Sequence, residues 1–104
     1  MAHEQKIQEM QILEQNLQNL LLQKQAFQME LSETDSALNA MANSGEEVFK
    51  IIGQLMIKTE KSKIQDELEG KKKMLELRTK TLEKHESSLT EQLEKLRDEF
   101  MNSK

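Results

Sequence analysis

His3 and His85 are the only histidines in the 104-residue chain, and they lie far apart in it. Cysteine is absent, so a zinc site has no ligand cluster to grow from. For the same reason no disulfide can form, which fits a reducing compartment. Glu86 and Ser87-Ser88 follow His85, but a charged helix surface contains many such neighbours. The 19 acidic residues include no pair that the pattern places in a pocket, so general acid–base catalysis has no seat. No glycine-rich phosphate loop and no nucleophile elbow appears. No catalytic, cofactor-binding or metal-binding residue is expected, and the chain reads as a non-enzyme that needs no cofactor.

Charge excludes further classes. The net charge is −4, and a phosphate-backbone binder needs a basic face. Lys71-Lys72-Lys73 is a basic run that reads as a solvated helix face. A basic zipper would need a basic stretch before its leucines. Thr59 to Glu67 holds three acids against two lysines, so nucleic acid is not an expected partner. No run of about 18 apolar residues spans a membrane, and no apolar signal core follows the first residues. A soluble, cytoplasmic protein is expected.

The chemistry left is apolar contact, and the residues that offer it must be positioned by long elements. Charged residues make up 33% of the chain and aromatics 3%, and proline is absent, a profile that favours uninterrupted helices. With heptad position a at 10, 17, 24, 31 and 38 and d at 13, 20, 27, 34 and 41, eight of ten positions are apolar. Lys24 and Thr34 are the exceptions and read as register devices or points of loosening. This predicts a helix over about 6–42, ended by Asn43-Ser44-Gly45 with Gly45 in the left-handed cap position.

Val48 to Ile57 breaks the helical period and is rich in β-branched and apolar residues. Gly53-Gln54 matches a two-residue type II′ turn, which places Ile52 opposite Leu55 and Lys50 opposite Ile57. The predicted hairpin over about 47–59 is apolar on both faces. Such a ribbon is marginal alone and has open edges, so pairing with hairpins of other subunits is expected. Val48, Phe49, Ile51, Ile52, Leu55, Met56 and Ile57 are the candidate assembly residues. Ser62-Lys63-Ile64-Gln65 reads as a capping box for a second helix over about 62–101. Its d positions are Leu68, Leu75, Leu82, Leu89 and Leu96. Its a positions, Gln65, Lys72, Thr79, Glu86, Leu93 and Phe100, are mostly polar. Gly70 reads as a bend or a close approach.

The expected fold is therefore mostly α with a small β element. It is an antiparallel two-helix coiled coil, each helix on the order of 55–60 Å long, joined by a β-hairpin in one domain over 1–104. Both helix ends then meet at a tip. There the seam is overprovided: Ile7, Ile12 and Met101 fall outside it, beside Met10, Leu13, Leu96 and Phe100. Methionine adapts to varied apolar partners, so these seven residues form a candidate grip on other chains.

Glu47-Val48-Phe49-Lys50-Ile51-Ile52-Gly53-Gln54-Leu55-Met56-Ile57-Lys58-Thr59 resembles the hairpin of prefoldin beta-type subunits. Leu22-Gln23-Lys24-Gln25 and the Lys71–Glu86 stretch resemble the two helices of archaeal members. The resemblance covers most of the chain. It implies a heterohexamer of two alpha-type and four beta-type subunits, with hairpins assembled into an intersubunit β-barrel. It further implies an ATP-independent chaperone that holds unfolded proteins at the coiled-coil tips and passes them to a group II chaperonin. The alpha class carries a second hairpin, for which this chain has no room, and the long C-terminal tail of some members is missing. The rival readings are a structural coiled-coil adaptor and a parallel leucine-zipper dimer, neither with chaperone activity.

Overall fold

The computed structural model describes residues 2–102. Helix α1 covers Ala2–Ala42, strand β1 Glu47–Ile52, strand β2 Leu55–Glu60 and helix α2 Lys61–Asn102. The expected domain limits at residues 1 and 104 lie outside the described residues. Helix α1 starts before the expected residue 6. Nothing in its first turn opposes a helix, and Glu4 there suits the positive end of the helix dipole.

Every a and d position, from Met10 to Met41 and from Gln65 to Phe100, is buried or half-buried. The heptad pattern is thus the packing pattern, and the chain is a two-helix coiled coil with a hairpin between the helices. Two compact units share the helices. One joins α1 up to Ala26 with α2 from Thr79 onward. Its buried core is Leu20, Leu89 and Leu93. The other, Phe27–Arg78, holds the hairpin and buries Met41, Leu75 and Thr34. Leu75 is the most enclosed side chain, at 1% exposure. Removing a leucine of this kind from water stabilises by about 1.5–3 kcal/mol.

The strands pair antiparallel, with Ile52 opposite Leu55 and Lys50 opposite Ile57. Gly53 has φ +60°, and no non-glycine residue among those described has positive φ. Gln54 therefore stays on the negative side. Type II′ makes that demand, with positive φ at the first central residue only.

Three local expectations need correction. Gly45 is not left-handed, since Gly53 alone among the described glycines has positive φ. Polar side chains take over the end of α1 instead. The Ser44 amide and hydroxyl reach the Met41 carbonyl at 3.1 and 2.9 Å. The Asn43 amide donates to the Asn39 carbonyl at 3.1 Å. With the last carbonyls satisfied this way, no left-handed residue is required. Ser62 lies inside the first turn of α2, not ahead of it. Strand β2 runs on to Glu60, which pairs with Glu47, so the helix begins at once at Lys61. Gly70 makes no close approach: a Cβ added there meets nothing within 4 Å.

Candidate functional site

The apolar residues expected at the tip belong to the first unit, where the start of α1 lies beside the end of α2. Arg97 Nη2 donates to Glu14 Oε1 at 3.1 Å across the pair. The His3 ring leans on Phe100 with centroids 5.1 Å apart and planes at 53°. Met10, Leu13, Leu96 and Phe100 are half-buried in the seam. Ile7, Ile12 and Met101 are exposed at 40%, 58% and 62%.

The seven residues divide between two grooves. Ile12, Leu13 and Leu96 line one of about 430 Å³, with Glu9, Gln92, Lys95 and Glu99 around them. Ile7, Met10, Phe100 and Met101 line another of about 390 Å³, with Gln11 and the Glu14–Arg97 pair. Heptad positions g, c and d of both helices face the first groove, and e, a and b face the second. The seam ridge separates them. The seven therefore do not form one surface, a division that the heptad positions of Ile12 (c) and Ile7 (e) signal in the sequence. Both grooves are open and largely apolar. They suit side chains that dock and leave, not a bound small molecule held on several polar groups.

In the second unit, Val48 is half-buried, while Phe49, Ile51, Ile52, Leu55, Met56 and Ile57 are all exposed. Lys50 Nζ meets Glu67 Oε2 at 3.1 Å and ties β1 to α2. Lys58 Nζ meets Glu47 Oε1 at 3.1 Å across the strands. Lys61 Nζ donates to the Ser44 carbonyl at 3.0 Å, closing the loop before β1. Met41, Val48, Phe49, Ile51, Met56 and Leu68 help line a groove of about 610 Å³ between the hairpin and the helices. Among the described residues the sheet has two strands, so each leaves an outer edge without a strand partner there.

Polar groups in the seam are provided for to different degrees. Thr34 is buried, and its hydroxyl donates to the Glu30 carbonyl at 2.8 Å. Lys24 Nζ lies 3.9 Å from both Glu83 and Glu86. Glu86 Oε2 is buried without a hydrogen-bond partner. Lys72 Nζ meets Asp35 Oδ1 at 2.9 Å. That hydrogen bond, with the charge of Asp35, raises the Lys72 pKa above its usual 10.5. Among the described residues no group of three or more His, Cys, Asp or Glu could hold a metal ion. No helix among them is long and apolar enough to cross a membrane.

Comparison with known proteins places this geometry. A family model described as prefoldin subunit matches residues 4–103. The prefoldin subunit beta of Pyrobaculum calidifontis is 40% identical over 86 residues, covering 81% of this chain and 69% of that protein. That of Saccharolobus islandicus is 39% identical over 88 residues, covering 83% and 70%. The crystal structure of the prefoldin beta subunit from Thermococcus strain KS-1 superposes with a TM-score of 0.91 at 32% identity. The match covers 97% of this chain and 90% of that one.

Proposed function

Because the chain belongs to the prefoldin family of chaperones, in its beta-subunit branch, we propose that it is an ATP-independent holdase subunit that grips non-native proteins at the free ends of its helix pair. The observation that carries this reading is the exposure of Ile7, Ile12 and Met101 beside the half-buried Met10, Leu13, Leu96 and Phe100. Two shallow apolar grooves result, and a shallow apolar groove selects for exposed apolar side chains whatever their sequence. Unfolded chains share that feature. Each contact is weak, and several subunits acting on one client raise the effective concentration.

The whole chain acts as one domain in this reading. Val48, Phe49, Ile51, Ile52, Leu55, Met56 and Ile57 form an intersubunit β-barrel with further beta copies and an alpha-type subunit, in a hexamer. The assembly works in the cytoplasm and delivers clients to a group II chaperonin. It needs no cofactor, performs no enzymatic step, and has no nucleic-acid or membrane partner.

The test replaces exposed tip residues only, because the half-buried ones also hold the helices together. The triple variant Ile7→Ser, Ile12→Ser, Met101→Ser should keep the native mass and helical content of the assembly. It should lose most suppression of aggregation of a denatured client, measured by light scattering. Suppression equal to that of the parent protein removes the tip from the mechanism. An adaptor without chaperone activity would show no suppression even in the parent.

A further inference from the structure

The charge of the chain is concentrated where the tip grooves lie. Residues 2–14 and 91–102 carry seven carboxylates against three basic side chains, a net charge of −4 with histidine neutral. Residues 15–90 carry twelve against eleven and are close to balanced. Arg97 is already engaged by Glu14 at 3.1 Å. That leaves Lys6 and Lys95 against six carboxylates.

Two of those carboxylates border the groove of Ile12, Leu13 and Leu96: Glu9 from α1 and Glu99 from α2. Neither is ion-paired with another described residue. The apolar floor is thus flanked on both helices by unneutralised negative charge, with Lys95 the one base among its lining residues. Charges set this way steer and select partners more than they add affinity. They also decide between occupants. A second copy would bring the same acidic tip and be repelled, as would a segment rich in Asp and Glu.

We infer that this groove takes client segments in which lysine or arginine stands next to large apolar residues, the apolar side chain entering over Leu13 and Leu96 and the cation meeting Glu9 or Glu99. The inference rests on the client-binding reading above and names the kind of segment bound. Such segments are common in unfolded chains, where basic residues flank stretches that the native fold would bury.

The test uses the full chain in its native assembly and three fluorescein-labelled peptides of one leucine and phenylalanine pattern, flanked by lysine, serine or glutamate. Fluorescence anisotropy at about 0.02 M salt should rank them lysine, serine, glutamate, with roughly three- to tenfold between neighbours. The spread should collapse at about 0.5 M salt. In the double variant Glu9→Gln, Glu99→Gln the affinity for the lysine peptide should fall to that of the serine peptide. Equal affinities at low salt, or a lysine preference that survives the double variant, overturn the inference and leave apolar capture standing. Failure of all three peptides to bind overturns the capture reading as well.

Discussion

Lys24 occupies a seam position that an apolar side chain would fill better, and the structure shows how it is accommodated. Its ammonium lies 3.9 Å from Glu83 and Glu86, at the outer limit of an ion pair, and stays partly in water. Glu86, also a seam residue, keeps one buried oxygen without a partner. Desolvating such a pair costs more than a long contact returns. Lys24→Met alone should therefore lower the melting temperature, because Glu86 loses its nearest seam cation. Lys24→Met with Glu86→Leu should raise stability above the parent by about 1 kcal/mol. A single variant more stable than the double would show that the pair is not coupled. Gly70 offers a cleaner case. It sits inside α2 with open space around it, so no packing reason opposes a side chain. Gly70→Ala should stabilise by about 0.5–1 kcal/mol through helix propensity and a less flexible unfolded chain. Thermal unfolding followed by circular dichroism reads both effects, and an unchanged melting temperature would mean that Gly70 answers a constraint outside this chain.

At the scale of elements, the helices and the hairpin were legible because each has one dominant period. A seven-residue repeat names the seam residues, and each of them is at least half-buried, including the polar Lys24, Thr34, Gln65 and Glu86. The strand register was legible because Gly53-Gln54 admits one common turn and the turn sets the pairing. Element ends were not legible, because several local devices compete for the same orphan groups. Ser44 and Asn43 take the carbonyls that a left-handed Gly45 would have served. The last strand pair, Glu47 with Glu60, leaves no room for a cap at Ser62. The two-groove form of the tip was hidden for another reason: it depends on which side of the seam ridge each apolar residue falls, and a census of apolar residues does not show that. Gly53 is where the hairpin is most exposed to test. An alanine there must hold φ near +60°, at a cost of about 1–2 kcal/mol. Gly53→Ala should speed hydrogen exchange at the amides of the strands while leaving those of α1 and α2 protected. Equal exchange in both proteins would show that the hairpin is held by something other than its turn.

For the whole molecule, the question is what covers the hairpin. Six large apolar side chains there are exposed, among them Phe49 at 54% and Ile51 at 69%, and both lie on one face of β1. Two strands with apolar faces and open edges are marginal in water, and the contacts with the helices leave six of the seven apolar side chains exposed, so pairing beyond the chain has most to add. A tip-to-tip or helix-to-helix association would leave this surface wet, whereas a β-barrel shared among subunits buries it and satisfies the edges together. Phe49→Asp with Ile51→Asp should therefore act on assembly and spare the helices, whose seams involve neither residue. Native mass spectrometry of the parent mixed with a prefoldin alpha-type subunit should give four copies of this chain with two of the partner. The double variant should stay at low mass with its helical circular dichroism retained, and it should lose suppression of client aggregation although its tip is intact. The last point follows from the proposed capture at several tips, since linked weak contacts lose their effective concentration when each tip acts alone. A parent that forms only a homodimer and ignores the alpha partner, or a double variant that assembles normally, would move the subunit interface from the hairpin to the helices and favour an adaptor without chaperone activity.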